Sequence, residues 1–129
     1  MTDRSILVVL TSGLADGGRR AALAFGTALA ALADGDEAYV FLSLEAAILG
    51  TPTGAVGVHP QGFSESLETY IDHFVELGGT LEVCSSCYEE YCRELPKDEQ
   101  GRPALRSNAT IRGLSIVAAR AHQMPVVTF

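Results

Sequence analysis

The chain is predicted to fold as an α/β protein with a parallel sheet covered by helices on both faces. Two observations carry this. Short runs of β-branched and aliphatic residues alternate with longer stretches whose apolar residues recur at helical spacing, and that order specifies β-α units joined by right-handed crossovers. The runs are apolar throughout rather than alternating, as strands buried on both faces require.

The first run, Ile6-Leu-Val-Val-Leu10, is expected to form a strand from Ser5, closed by Thr11-Ser12-Gly13. Residues 17–33 are small and apolar at helical spacing, with Leu23, Phe25, Leu29 and Leu32 as expected core anchors, and Asp34-Gly35-Asp36 ends the helix. A second buried strand is expected over 38–43, then a short helix over 44–49 stopped by Gly50 and Pro52. Residues 51–62 read as a surface loop. Ser64 is the expected N-cap of an amphipathic helix carrying Leu67, Tyr70, Ile71, Phe74, Val75 and Leu77, terminated by Gly78-Gly79.

Residues 80–83 are the expected third strand and 85–94 a short helix. Pro96 to Pro103 is polar and turn-rich, hence a loop. A brief fourth strand over 110–112, a helix over 114–123 with Ile116, Val117 and Ala121 inward, and a fifth strand over 125–129 complete the chain. Its 129 residues, 47% of them hydrophobic, suit one domain over 1–129.

Several function classes recede on composition. A net charge of −7 gives no general attraction for nucleic acid or anionic membrane, and no apolar run nears the ~20 residues of a membrane span. Met1-Thr2-Asp3-Arg4 lacks the pattern of a signal peptide, so a cytoplasmic location is expected. Charge is uneven, however: six of the nine Lys and Arg residues follow Cys92, and they read as a solvated face or as a draw for anions and acidic partners.

All three cysteines lie between positions 84 and 92. In a reducing compartment such a cluster argues for redox, sulfur or metal chemistry over a disulfide framework. Cys84 falls at the carboxyl end of the third strand, where open α/β sheets place ligands, and Cys84-Ser85-Ser86-Cys87 opens the next helix, whose first amides favour a thiolate. A thiolate on this lip, open to partners, can attack a persulfide and pass its terminal sulfur on, with Cys87 as resolver or protector. Cys92, five positions beyond Cys87, points away around the helix and reads as structural. Glu89 and Glu90 oppose thiolate formation unless Arg93 offsets them.

Other groups carry weaker signals. C-x-x-C is half of a zinc site, and with no second pair in the chain the metal reading needs another subunit's ligands. The loop 11–18 matches neither the dinucleotide fingerprint nor the P-loop, so no cofactor is implied, although Arg19 and Arg20 could hold a small anion or nucleotide there. His59, His73 and His122 are scattered, and only His59 sits in a loop able to approach the cysteines.

Together these strings resemble the DsrE/DsrF/TusD-like family of small sulfur-relay proteins. The likeness runs through Ile6-Leu-Val-Val-Leu-Thr-Ser-Gly, Val40-Phe-Leu-Ser-Leu-Glu-Ala-Ala, Leu81-Glu-Val-Cys84 and the ending from Gly113 to Phe129. The resemblance implies a flavodoxin-like, DsrE-like three-layer α/β/α sandwich with a mostly parallel five-stranded sheet. It further implies assembly into trimers or hexamers, and a Cys84 that accepts and donates persulfide sulfur between donor and acceptor proteins as a carrier rather than a multiple-turnover enzyme. Against the family's alanine-rich helix ending in Arg-Gly, this chain has Ser-Ser-Cys-Tyr-Glu-Glu-Tyr-Cys-Arg and a polar segment over 94–106.

Overall fold

Five parallel strands, β1 (Ser5–Leu10), β2 (Glu37–Leu42), β3 (Thr80–Cys84), β4 (Ala109–Arg112) and β5 (Val126–Thr128), form one sheet in the order β4-β3-β2-β1-β5. The computed structural model describes residues 4–129, so the start Met1-Thr2-Asp3, on which the leader expectation rests, lies outside the described residues. The α/β expectation holds, and every strand pair is parallel.

From β1 the sheet grows outward through β2, β3 and β4, then the chain returns to lay β5 on the other side of β1. Right-handed crossovers therefore send α1 (Arg19–Ala33) and α2 (Leu67–Glu76) to one face and α4 (Leu114–Ala121) to the other. The short α3 (Ser85–Tyr91) packs on β3, β4 and the 3-10 helix Leu44–Gly50, which stands where a short α-helix was expected.

Helix α1 buries Ala21, Ala24, Phe25 and Ala28, a stripe at i, i+3, i+4 and i+7, together with Ala22. Leu23 lies off that stripe and is 49% exposed, contrary to expectation, because alanines bring the helix close to the sheet and leave the larger side chain outside. Phe25 meets Phe74 of α2 edge to face at 5.6 Å. The cap of α2 is Ser66 rather than Ser64: its hydroxyl accepts from the Thr69 amide, two residues later than the sequence suggested. Gly78, at φ 93°, ends that helix, with its amide donating to Val75 and that of Gly79 to Phe74, a Schellman arrangement. Leu77, counted with the apolar face, is 61% exposed beyond this stop.

The opposite face depends on a buried ion pair. Glu82 projects from the middle of β3 toward α4 and is 1% exposed. Both Arg120 guanidinium nitrogens donate to it, one at 2.9 Å, and Arg112 approaches at 3.4 Å. Arg120 also stacks over the Tyr39 ring at 4.0 Å. Here α4 is joined to the sheet chiefly by charge: Ile116 and Val117 are half-buried, whereas Ala121, expected inward, is exposed, as are Leu114 and Val126. Arg120, read from sequence among a solvated basic set, is in fact buried.

Removing one member leaves the other charged and buried, so Arg120→Ala is expected to cost about 3–5 kcal/mol in urea unfolding. Glu82→Leu combined with Arg120→Met is expected to recover most of that loss. Additive losses in the double variant would refute the pairing.

Candidate functional site

Three loops meet at the carboxyl edge of the sheet: 11–18 after β1, the 3-10 helix after β2, and the start of α3 after β3. Cys84 is both the last residue of β3 and the N-cap of α3. Strand pairing fixes its backbone beside Arg112 of β4, and its turn into α3 brings Ser86 Oγ to 3.5 Å from its sulfur.

Burial works to raise the Cys84 thiol, but hydrogen bonds outweigh it. The Ser86 hydroxyl, the Cys87 amide and thiol and the Ser86 amide together hold Cys84 below the ordinary thiol range. The expectation of a favoured thiolate at Cys84 thus has a geometric basis. Glu89 and Glu90 are both exposed, and Arg93 is engaged with Glu90.

Cys87 responds in the other direction. Burial and then the neighbouring Cys84 push its thiol up, against the Leu44 amide, which donates to its sulfur at 3.0 Å. Cys92 is fully enclosed, and burial, followed by the charge of Cys87, pushes it up to about 11. Its enclosure accords with the structural reading of its helical position.

The lip is closed. Cys84 is 2% and Cys87 9% exposed in the single chain, where the sequence led to an accessible sulfur. Cys87 sits where α3 packs on the 3-10 helix, and both cysteines belong to the apolar core. A cleft of about 420 Å³ opens beside α3, lined by Ser85, Glu89, Arg93, Lys97, Arg102 and Ile111, basic on balance. It exists because the Tyr88 hydroxyl donates to the Pro103 carbonyl and pins the polar 96–103 excursion against the helix.

The loop after β1 meets the expectation of an anion site halfway. Arg19 and Arg20 line a cleft of about 540 Å³ with Ser12, Asp16 and Phe63. Yet its amides already hold carboxylates of the chain itself: Glu45 Oε1 accepts from Gly13 at 2.7 Å and Ala15 at 3.0 Å, and Asp16 accepts from Gly18 and Arg20. All three histidines are exposed, and none hydrogen-bonds a cysteine among the described residues. Nor do those residues contain three His, Cys, Asp or Glu side chains grouped to hold a metal, so a zinc reading would need ligands from a second chain.

Sequence reasoning missed Leu44, Glu45, Ser86 and Tyr88. Ser86 follows directly from the C-x-x-C spacing, whereas the others act across 15 to 43 positions of sequence and carried no local signal.

No family model and no curated protein matches this chain. Among solved structures, that of the ychN protein from E. coli is similar at a TM-score of 0.72 and 16% identity, over 99% of this chain and 100% of that one. The likeness shows a shared α/β fold.

The Cys92 thiol has a direct consequence for stability. The unfolded thiol ionises near 9 and the folded one near 11, so the unfolded state sheds its proton first and stability falls as pH rises across that window. In urea titrations the wild type is expected to weaken from pH 9 to 11 more steeply than Cys92→Ala; equal slopes would contradict the burial of this thiol.

Proposed function

We propose that the protein is a sulfur carrier in which Cys84 accepts a persulfide sulfur from a donor protein and yields it to an acceptor protein. The observation that carries this reading is the contrast among three neighbouring thiols: Cys84 is eased toward its anion while Cys87 and Cys92 are held protonated. In the loading step the Cys84 thiolate attacks the terminal sulfur of a donor persulfide. The new bond forms to Cys84, the donor's S–S bond breaks, and the donor leaves as a thiolate. In unloading, an acceptor thiolate attacks that same outer sulfur and Cys84 leaves as its thiolate.

The high thiol of Cys87 favours the protecting role over the resolving one. As a thiolate it would attack the inner sulfur, forming a Cys84–Cys87 disulfide and expelling hydrosulfide, and protonation suppresses that loss. Turnover of this kind needs protein partners, and a carrier has no need of a cofactor. Since both sulfurs are covered in the single chain, loading requires α3 or the 3-10 helix to move, a local opening below the cost of global unfolding.

A homo-oligomer, trimeric or hexameric, and a cytoplasmic setting belong to the same reading. In favour of assembly, α4 and β5 leave Leu114 64% and Val126 39% exposed on the thinly covered side of the sheet. No helix among the described residues is long and apolar enough to cross a membrane, and reduced thiols suit a reducing compartment. A small-anion module is the second reading, and the Arg19–Arg20 cleft favours it. Thermal stabilisation by phosphate in a variant lacking all three cysteines would be its mark.

Incubated with a cysteine-persulfide donor enzyme and its substrate, the wild type is expected to gain roughly 32 Da, one sulfur atom, by intact mass. Cys84→Ser is expected to gain none, and Cys87→Ser to load and to keep its sulfur at alkaline pH, where the wild-type Cys87 thiolate would expel it. An unmodified wild type, or sulfur gained by Cys84→Ser, would discard the carrier reading. Leu114→Glu is expected to lower the sedimentation coefficient if that face is an interface between copies; no change would place any assembly elsewhere.

A further inference from the structure

Leu44 is the one non-glycine residue with positive φ, at 51°, among the described residues. A leucine gains nothing from the left-handed region, which costs of order 1–3 kcal/mol, and its side chain is half exposed, so packing does not explain the conformation. What the conformation achieves is a turn: the Leu44 amide, still on the extended course of Ser43, meets Cys87 Sγ at 3.0 Å, and the positive φ swings the chain after it into the 3-10 helix that carries Glu45. What holds it is the next residue. Glu45 reaches into the loop after β1, where Gly13 and Ala15 amides donate to one carboxylate oxygen and the Ser12 hydroxyl lies at 3.4 Å.

Gly13 makes room for this contact. A Cβ there would lie 2.9 Å from the Glu45 carbonyl oxygen, a backbone atom unable to yield alone. The amides that a glycine-rich loop would offer to a phosphate are thus filled from within, and the filling group belongs to the residue after the strained one.

We infer that Glu45 is a positioning residue for the cysteine pair: anchored between Gly13 and Ala15, it holds the left-handed turn at Leu44 in place so that the Leu44 amide stays on the Cys87 sulfur with its thiol turned toward Cys84. This rests on reading Cys84 as the sulfur-bearing thiolate. The chain of donors runs from the Leu44 N–H to Cys87 Sγ, and from the Cys87 S–H to Cys84, with each bond polarising the next.

The charges around the pair allow a test by sign. On elements packed against α3 these are Glu45, then Glu82 and Arg112 on β3 and β4, and Lys97, Asp98 and Arg102 on the segment held by Tyr88. Glu82 is neutralised by Arg120, Asp98 is bound to the amides of Gln100 and Arg102, and Glu89 and Glu90 on α3 itself are exposed. Deleting the Glu45 charge can by electrostatics alone only favour the Cys84 thiolate. Losing the pinned thiol disfavours it.

The experiment is the pH dependence of Cys84 alkylation by iodoacetamide, followed by peptide mass mapping, with thermal melts as a check on folding. Glu45→Ala is expected to raise the Cys84 midpoint by about one pH unit, a tenfold loss of thiolate, and Gly13→Ala to move it the same way. Glu45→Gln, which keeps the acceptor without the charge, is expected to titrate at or slightly below the wild-type midpoint. Adding Leu44→Gly to Glu45→Ala is expected to restore part of the shift, because glycine takes the left-handed conformation without strain.

A fall or no change in Glu45→Ala, a rise in Glu45→Gln, or no rescue by glycine would overturn the inference. Where Glu45→Ala does not fold, Glu45→Gln and Gly13→Ala decide it by the same signs. Sulfur loading is scored separately: midpoints that shift as expected in a protein that never loads leave the device standing and remove its purpose, whereas normal loading with unmoved midpoints removes the device alone.

Discussion

Backbone amides emerging at the end of a parallel sheet must find acceptors, and here neighbouring loops supply them to one another. After β1, the amides of Gly13 and Ala15 take the Glu45 carboxylate; after β2, the Leu44 amide takes the Cys87 sulfur; after β3, the amides of Ser86 and Cys87 act on the Cys84 sulfur. Each loop therefore holds the next. A sulfur is a weak acceptor when neutral and a strong one when charged, so a design that satisfies amides with sulfur also favours the anion. The lowered Cys84 thiol follows from this sharing.

The same economy governs the other face of the sheet. With one short helix to cover it, the fold fixes α4 through Glu82 and Arg120 and leaves the apolar residues around them partly bare. A buried ion pair specifies position more than it stabilises. Because Glu82 lies two residues before Cys84 on the strand, the register that seats this pair also sets where β3 ends and α3 begins.

Closure over the cysteines separates two properties that the carrier reading needs together. Thiolate stabilisation comes from the packed state, in which α3 and the 3-10 helix meet, while access comes from its opening. A carrier loaded only by partners able to open it is guarded against small oxidants, and the strained Leu44 sits at the joint between those two elements.

The alternation of apolar runs with helical stretches determined the strands, their parallel pairing and the placing of Cys84 at a carboxyl end, because burial on both faces and crossover handedness leave one-dimensional patterns. The Gly78-Gly79 stop was equally legible, since a left-handed cap is a local demand. Leu23 and Ser64 were misread for want of distances: which helical stripe faces the sheet, and which serine caps, depends on how closely α1 and α2 approach. Glu45 beside Gly13, Leu44 beside Cys87, and Arg120 beneath Glu82 join residues 32 to 43 positions apart. Such contacts have no period to read. They arise where separate segments are brought to one edge of the sheet, and only the folded chain decides which donor there meets which acceptor.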